Sequence, residues 1–274
     1  MKIPAPASEI KYWRVEQFFN IGFASYSLAH HSFPRHFHEH YVIELVTQGA
    51  DQFYCNGKML TAAPNELVFI NPGEVHTGST VDRPLHYFSI SPSRNDLQGV
   101  AATLEKSLPQ DFHFGNSLSV RPGLAHKMLL LFSTLESEEK DSMQYEELFL
   151  DFMSDLIDNA CNDENIKRNT KDLRVQQLID FMRTSFSEPL SLQQMAELVR
   201  VSPFYLIRLF RAATGLSPYE YLLVLRTEHA KELLQKGFSV QDAAWESGFY
   251  DSSHFNRAFK KMSATTPKIF RSSK

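Results

Sequence analysis

The chain has 274 residues, with 28 Lys and Arg against 32 Asp and Glu, 43% hydrophobic residues and two cysteines. That length accommodates two domains, and the balance excludes a disordered or fibrous chain. No apolar run approaches the ~20 residues needed to span a bilayer, and the start MKIPAPASEI has no apolar signal core. Cys55 and Cys161 lack metal-type spacing, so a cytoplasmic protein with reduced thiols is expected. Charge divides the chain. Residues 1–166 carry 11 basic and 22 acidic side chains, and residues 167–274 carry 17 and 10. A basic C-terminal half points to nucleic acid as its partner.

Taken in order, residues 1–15 read as a polar arm with little structure of its own. From about Phe18 to Ile90 the short β-rich runs YVIELV, DQFYC, NELVFI and LHYFSI alternate with turn signals at Cys55-Asn56-Gly57-Lys58 and Asn71-Pro72-Gly73. Many short strands argue for an antiparallel barrel or jelly roll. Residues 91–121 carry little signal. From Gly123 the period becomes helical, with Leu124, Met128, Leu131, Phe132 and Leu135 on one stripe. After a charged break at Glu136–Asp141, a second helix places Leu148, Phe152, Leu156 and Asn159 on one stripe, with Phe149, Met153 and Ile157 beside it. Residues 162–171, NDENIKRNTK, are polar and read as an interdomain linker. The domains are therefore drawn at 1–165 and 166–274.

A helix with Val175, Leu178, Ile179, Met182 and Phe186 inward opens the second domain. Two helix-turn-helix units follow, joined by one long helix. Ser191 caps the first helix, with Leu192, Met195, Ala196 and Val199 on its apolar stripe. Ser202-Pro203 opens the next, which buries Leu206, Leu209, Phe210 and Ala213 and ends at Gly215. Ser217-Pro218 opens the connecting helix, which runs to about Gln235. Ser239 caps a helix carrying Val240, Ala243 and Ala244, and Gly248-Phe249 makes the turn. Asp251 caps the last of the four, with Phe255, Ala258, Phe259 and Met262 inward. In this plan the second helix of each unit enters the DNA major groove.

The segments AELVRVSPFYLIRLFR, AWESGFYDSSHFNRAFKK and TTPKIFR, with Arg226 between them, resemble the DNA-binding domain of the AraC/XylS family of bacterial transcription regulators. Ala264 stands where the family usually has glycine, and Phe270 where it commonly has tyrosine. HSFPRHFHEHYVIELVTQG and NPGEVHTG resemble the same family's cupin-like effector-binding domain. The fold class expected is therefore α+β multidomain. A cupin-like β-barrel with following helices precedes an all-α double helix-turn-helix domain.

On the first recognition helix, Phe204, Ile207, Arg208 and Arg211 share one face at helical spacing. Phe204 and Ile207 suit thymine methyls, and the planar fork of Arg208 suits guanine. These three match base-reading positions of the family. On the second helix the outward set is Ser252, Ser253, Asn256, Arg257 and Lys260. Asn256 and Arg257 suit base edges, while Ser252 and Lys260 suit phosphates. Ser253 matches a position the family commonly fills with serine, where a local structural role is the alternative.

In the first domain, His36, His38, His40 and Glu44 have one strand parity, and His76 comes from a later segment. Such a set admits a metal, and hence a cupin enzyme with an accessory DNA-binding domain as the rival reading. Against it, metal cupins separate that glutamate from the next glycine by more than the four residues between Glu44 and Gly49. The second motif also has Pro72-Gly73 in place of Pro-x-Gly. His36, His38, Glu44 and His76 are accordingly assigned to an effector, with no metal, no cofactor and no catalysis. The resemblance implies an activator that binds promoter DNA and RNA polymerase, answers a small-molecule effector, and dimerises through residues 122–162. A constitutive DNA-binding protein whose barrel is only a scaffold is the third reading.

Overall fold

The computed structural model describes residues 9–14, 21–81, 84–137, 142–161 and 172–272. The expected linker at 162–171 lies outside them.

The N-terminal half is built on strands β1 (Glu9–Arg14), β2 (Gly22–Leu28), β3 (Ser32–His36), β4 (Val42–Gln48), β5 (Asp51–Cys55), β6 (Lys58–Ala62), β7 (Leu67–Ile70), β8 (His76–Thr80), β9 (Leu85–Ser91) and β10 (Leu118–Ser119). They form two antiparallel sheets, ordered β1-β2-β9-β4-β7-β10 and β3-β8-β5-β6. Among the described residues no ladder joins the two sheets into a hydrogen-bonded barrel. The turn at Asn56-Gly57 takes φ of 51° and 78°, as a two-residue hairpin between β5 and β6 requires. Alternation along β4 sends Val42 and Val46 into the core between the sheets, while Ile43 and Leu45 face the helices behind. Glu44 has the parity of the valines and so points to the interior between the sheets.

The supposedly unstructured N-terminal arm is in part a strand. β1 pairs along its whole length with β2, and Tyr12 and Trp13 are half-buried, Trp13 against the helix-backed core. The aromatic pair gives this segment enough apolar area to stay on the sheet edge. A helix, α1 (Arg94–Thr103), stands where the sequence carried little signal, and Ser93 and Asp96 close its capping box.

Helices α2 (Pro122–Glu136) and α3 (Ser142–Cys161) have the expected stripes, and both are buried within the protomer against the large sheet. Asn159 departs from its stripe and is exposed. It lies at the last turn, where a polar side chain keeps its hydration and donates to the Asp155 carbonyl.

The C-terminal half is helical: α4 (Leu173–Ser185), α5 (Leu192–Leu198), α6 (Pro203–Thr214), α7 (Pro218–Gln235), α8 (Val240–Glu246), α9 (Ser252–Ser263) and α10 (Pro267–Ser272). Ser191, Ser202, Ser217, Ser239 and Asp251 each accept a backbone N–H as N-caps. Gly215 ends α6 at φ 79°. Ala213 is exposed, contrary to expectation, because the last turn of α6 projects past the core made by Leu206 and Phe210. Ala264 ends α9 in the left-handed region at φ 56°, which accounts for glycine being usual there.

Arg226 of α7 ties the two units together. Its Nε donates to the Phe186 carbonyl at 2.7 Å and its Nη2 to that of Glu188 at 2.9 Å. Gly248, at φ 79°, packs against the same loop, so a Cβ there would sit 2.7 Å from the Ser187 oxygen and 3.0 Å from Arg226 Nε. Gly237 has φ 91° but open space around it. Both Gly→Ala changes meet the left-handed penalty of about 1–2 kcal/mol, but only Gly248→Ala forces backbone apart. In denaturant titrations Gly248→Ala is expected to cost at least ~2 kcal/mol more than Gly237→Ala. Equal losses would show that the α4–α5 loop yields freely.

Candidate functional site

The residues expected to face DNA lie on the outside of the C-terminal half. Phe204 is 72% exposed at the first turn of α6, although it is large and apolar. Arg208 and Arg211 are also exposed, and Ile207 is half-buried. Arg211 lies 3.5 Å from Glu220 in an exposed ion pair. Ser252, Ser253, Asn256, Arg257 and Lys260 are exposed along α9. Asn256 donates to the Ser252 carbonyl, which holds its amide close to the helix. The C-terminal end of α9 abuts the N-terminal half. There burial lowers the His31 pKa, a bond to the Lys261 backbone partly offsets this, and the charge of Lys260 adds to the lowering. Tyr205, Tyr219, Trp245 and Tyr250 are exposed on the same half, and the sequence reading passed over them.

The second constellation is a cavity of about 840 Å³ between the sheets, lined also by α7, α9 and α10. His36, His38, His40, Glu44 and His76 all line it. The first four do not share one strand, contrary to expectation. β3 ends at His36, His38 and His40 lie on the bend that follows, and Glu44 belongs to β4. The bend turns Phe37 the other way, into the helical half, where it stacks on Tyr221 at 4.4 Å and 27°.

The histidines form one cluster. Ring centroids are 4.2 Å apart for His36 and His76, 4.9 Å for His36 and His38, and 5.2 Å for His38 and His76. Burial, with the neighbouring rings adding to it, pushes the His36 pKa well down and that of His76 to about 3. Both are therefore neutral imidazoles. The carboxyls behave in the opposite sense. Burial raises Glu44 to about 8, with Asp51 adding to it, and burial raises Asp51 to about 7 although the Ser79 N–H opposes the shift.

Two residues of the helical half complete the wall. Glu228 and Lys231 project from α7, 2.7 Å apart, and Glu228 Oε2 lies 3.4 Å from His38 Nδ1. Burial would raise the Glu228 pKa, but Lys231 and then His38 outweigh it and hold the carboxylate well below its usual range. Sequence reasoning missed this pair, because no spacing links α7 to a bend far upstream. Around the cavity the halves are joined by Arg183 with both oxygens of Glu39, by Arg35 donating to the Gly215 carbonyl at 3.2 Å, and by Tyr12 against Phe270 at 4.8 Å.

These are a double helix-turn-helix DNA-binding half and a sheet-built half enclosing a polar cavity, the architecture of a one-chain transcription regulator. Residues 21–153 match the AraC-like ligand binding domain, and residues 195–273 match a helix-turn-helix domain. The chain is 30% identical over 226 residues to the HTH-type transcriptional regulator YbfI of Bacillus subtilis strain 168, covering 81% of each. It is 26% identical over 247 residues to the transcriptional activator RhaS of Enterobacter sp. strain 638, covering 88% of each. Among solved structures, an apo variant of ToxT from Vibrio cholerae superposes with a TM-score of 0.61 at 14% identity, over 92% of this chain and 96% of that one. The chain belongs to the AraC family of transcription regulators.

The raised carboxyls fix a pH dependence. Glu44 and Asp51 keep protons in the folded state at pH values where the unfolded chain, with ordinary carboxyl pKa values near ~4, has lost them. Through these two carboxyls the folded state holds extra protons between about pH 4 and pH 8, so their contribution to stability falls as pH rises through that window, while the depressed His36 and His76 act in the opposite sense below about pH 6.5. Glu44→Gln removes its share of the dependence. Between pH 6 and pH 9 the wild type is expected to lose on the order of 2 kcal/mol more than Glu44→Gln in urea titrations. Parallel stability–pH curves would mean that Glu44 is ionised in the fold.

Proposed function

We propose that the chain is an effector-controlled activator whose sensory half is cupin-like and holds a polar small molecule in the interdomain cavity. The carrying observation is that one cavity is walled by both halves, with Glu44, Asp51 and the histidines on one side and Glu228 and Lys231 on the other. A ligand touching both walls has different contacts in different domain arrangements, which is what an effector needs to shift their populations. Another ToxT structure, of TM-score 0.56, is that of the protein bound to an unsaturated fatty acid. Here the lining is rich in hydrogen-bonding groups, and neutral carboxyls donate as well as accept, so a polar effector fits better. His36, His38, Glu44 and His76 are its contacts in this reading.

At the DNA, α6 and α9 each enter a major groove on one face of the duplex, with Phe204, Ile207, Arg208, Asn256 and Arg257 at base edges. Arg211, Ser252, Ser253 and Lys260 flank them at the backbone or the neighbouring base. Activation follows through contact with RNA polymerase, as the activator name of RhaS supports. The inner stripes of α2 and α3 are used up within the protomer. A homodimer through 122–162 would therefore use their outer faces, where Leu130 and Met143 are exposed. Regulation rather than catalysis is the role its relatives support.

The test is a binding titration on cognate and scrambled duplexes at several salt concentrations. A bidentate Arg–guanine contact is worth about 1–3 kcal/mol of discrimination. Arg208→Ala is expected to weaken cognate binding about 5–100-fold and scrambled binding far less. Lys260→Ala is expected to weaken both alike and reduce the salt slope by about one unit. Equal loss on both duplexes for Arg208→Ala would remove base reading from that face of α6.

A further inference from the structure

We propose that His36, His38 and His76 hold one divalent transition-metal ion at the domain interface, with Glu228 of the DNA-binding half as the carboxylate partner of His38. The inference deepens the reading of the cavity as the sensory site and rests on it. It departs from the sequence expectation, which assigned no metal because the Glu44–Gly49 spacing and Pro72-Gly73 differ from the pattern of metal cupins.

Three observations carry it. One ring nitrogen from each of His36, His38 and His76 lies within 4.8 Å of the others. Tetrahedral zinc, with Zn–N of about 2.0–2.1 Å, sets its nitrogens roughly 3.3 Å apart. The cluster is thus wider than a tetrahedral zinc site by at most about 1.5 Å between any two ligand atoms.

The second observation is the tautomer. His36 Nδ1 donates to the Pro34 carbonyl at 2.8 Å, and His76 Nδ1 to the Glu74 carbonyl at 3.0 Å. Each Nδ1–H held in this way leaves Nε2 with a free lone pair, and each ring is fixed by backbone. Metal-ligating histidines are oriented by this kind of second hydrogen bond.

The third is His38. Its Nδ1 is buried and makes no hydrogen bond as it stands, and Glu228 Oε2 is its neighbour at 3.4 Å. A slight turn of either side chain gives a carboxylate–histidine–metal chain and presents the other nitrogen of His38 to the ion. Glu228 also stands within ligand range of His38 and His40 together. Three imidazoles select zinc, cobalt, nickel or copper over magnesium and calcium, which prefer all-oxygen sites. Because Glu228 belongs to α7, occupancy of the site favours the docked arrangement of the two halves by mass action.

The experiment uses the full chain, stripped with a chelator and dialysed. Cobalt(II) is titrated and followed by its visible ligand-field bands, with zinc(II) and magnesium(II) as competitors. One equivalent is expected to bind, to be displaced by zinc and to be indifferent to magnesium. His76→Gln should weaken binding at least ~100-fold, and Glu228→Gln by about 10–100-fold, the usual loss for a residue that hydrogen-bonds a ligating histidine. Zinc should slow amide hydrogen exchange in β3, β8 and α7 of the wild type, and in Glu228→Gln the protection of α7 should vanish. Absence of stoichiometric cobalt binding by the folded wild type overturns the site. Unchanged cobalt affinity in Glu228→Gln, or protection confined to β3 and β8, overturns the bridge to the DNA-binding half. The Arg208 titration run on the same stripped protein keeps the two readings apart. Base-selective binding there, without cobalt binding, overturns the metal and leaves the regulator standing.

Discussion

Helix α7 is the constraint on which the remaining structure depends. Its first half, through Tyr221, Leu222, Val224 and Leu225, completes the core around α4, α5 and α6. Its second half, through Ala230, Leu233 and Leu234, completes the core of α8 and α9. One helix of 18 residues is therefore part of both apolar cores, and neither unit can rotate without breaking one of them. The Arg226 hydrogen bonds and the close fit of Gly248 fix the remaining freedom at the loop between α4 and α5. The spacing of α6 and α9 is thereby a property of a single rigid element.

The opposite side of α7 meets the sensory half at a place where polar groups are expensive to bury. Glu228, Lys231, His38 and His76 keep their hydrogen-bonding capacity because the cavity, and not packed side chains, lies next to them. The strand break after His36 makes this possible. It sends Phe37 into the helical core and His38 and His40 toward the cavity within a few residues. A continuous strand would have put His36, His38 and His40 on one sheet face and left α7 without a polar counterpart.

Much of the helical half was legible because its boundaries are local chemistry. Each cap acts within three residues, so Ser191, Ser202, Ser217, Ser239 and Asp251 mark their helices without tertiary information. The capping box at Ser93 was equally local and was passed over, because its helix has a weak apolar stripe of Leu97, Val100 and Ala101. β1 was hidden for a different reason. Its order comes from pairing with β2 and from Tyr12 and Trp13 reaching partners distant in sequence. Most of the cavity histidines were found by residue type. Their grouping on one strand was wrong, since parity says nothing of where a strand stops. Glu228 had no local signal at all, because a charged residue on a helix usually means a solvated face.

The placement of Glu228 decides what kind of control the chain can exert. A shift from one arrangement to the other at 99:1 requires about 5.5 kcal/mol of differential binding. The exposed Arg183–Glu39 pair contributes at most about 1 kcal/mol to the docked arrangement, and the Phe37–Tyr221 stack adds about the same beyond its buried area. Each of these two contacts is thus of a size that a ligand of ordinary affinity can match. Such a ligand acts most strongly where charge is already buried, and Glu228 is a carboxylate held ionised by Lys231 and His38. A cation or a hydrogen-bonding effector beside it changes the cost of that charge directly. Glu228 lies between the two core-forming stretches of α7, so a displacement there moves α6 and α9 together. On the proposed reading the effector therefore changes how the pair of recognition helices is presented to the duplex and leaves their mutual spacing intact.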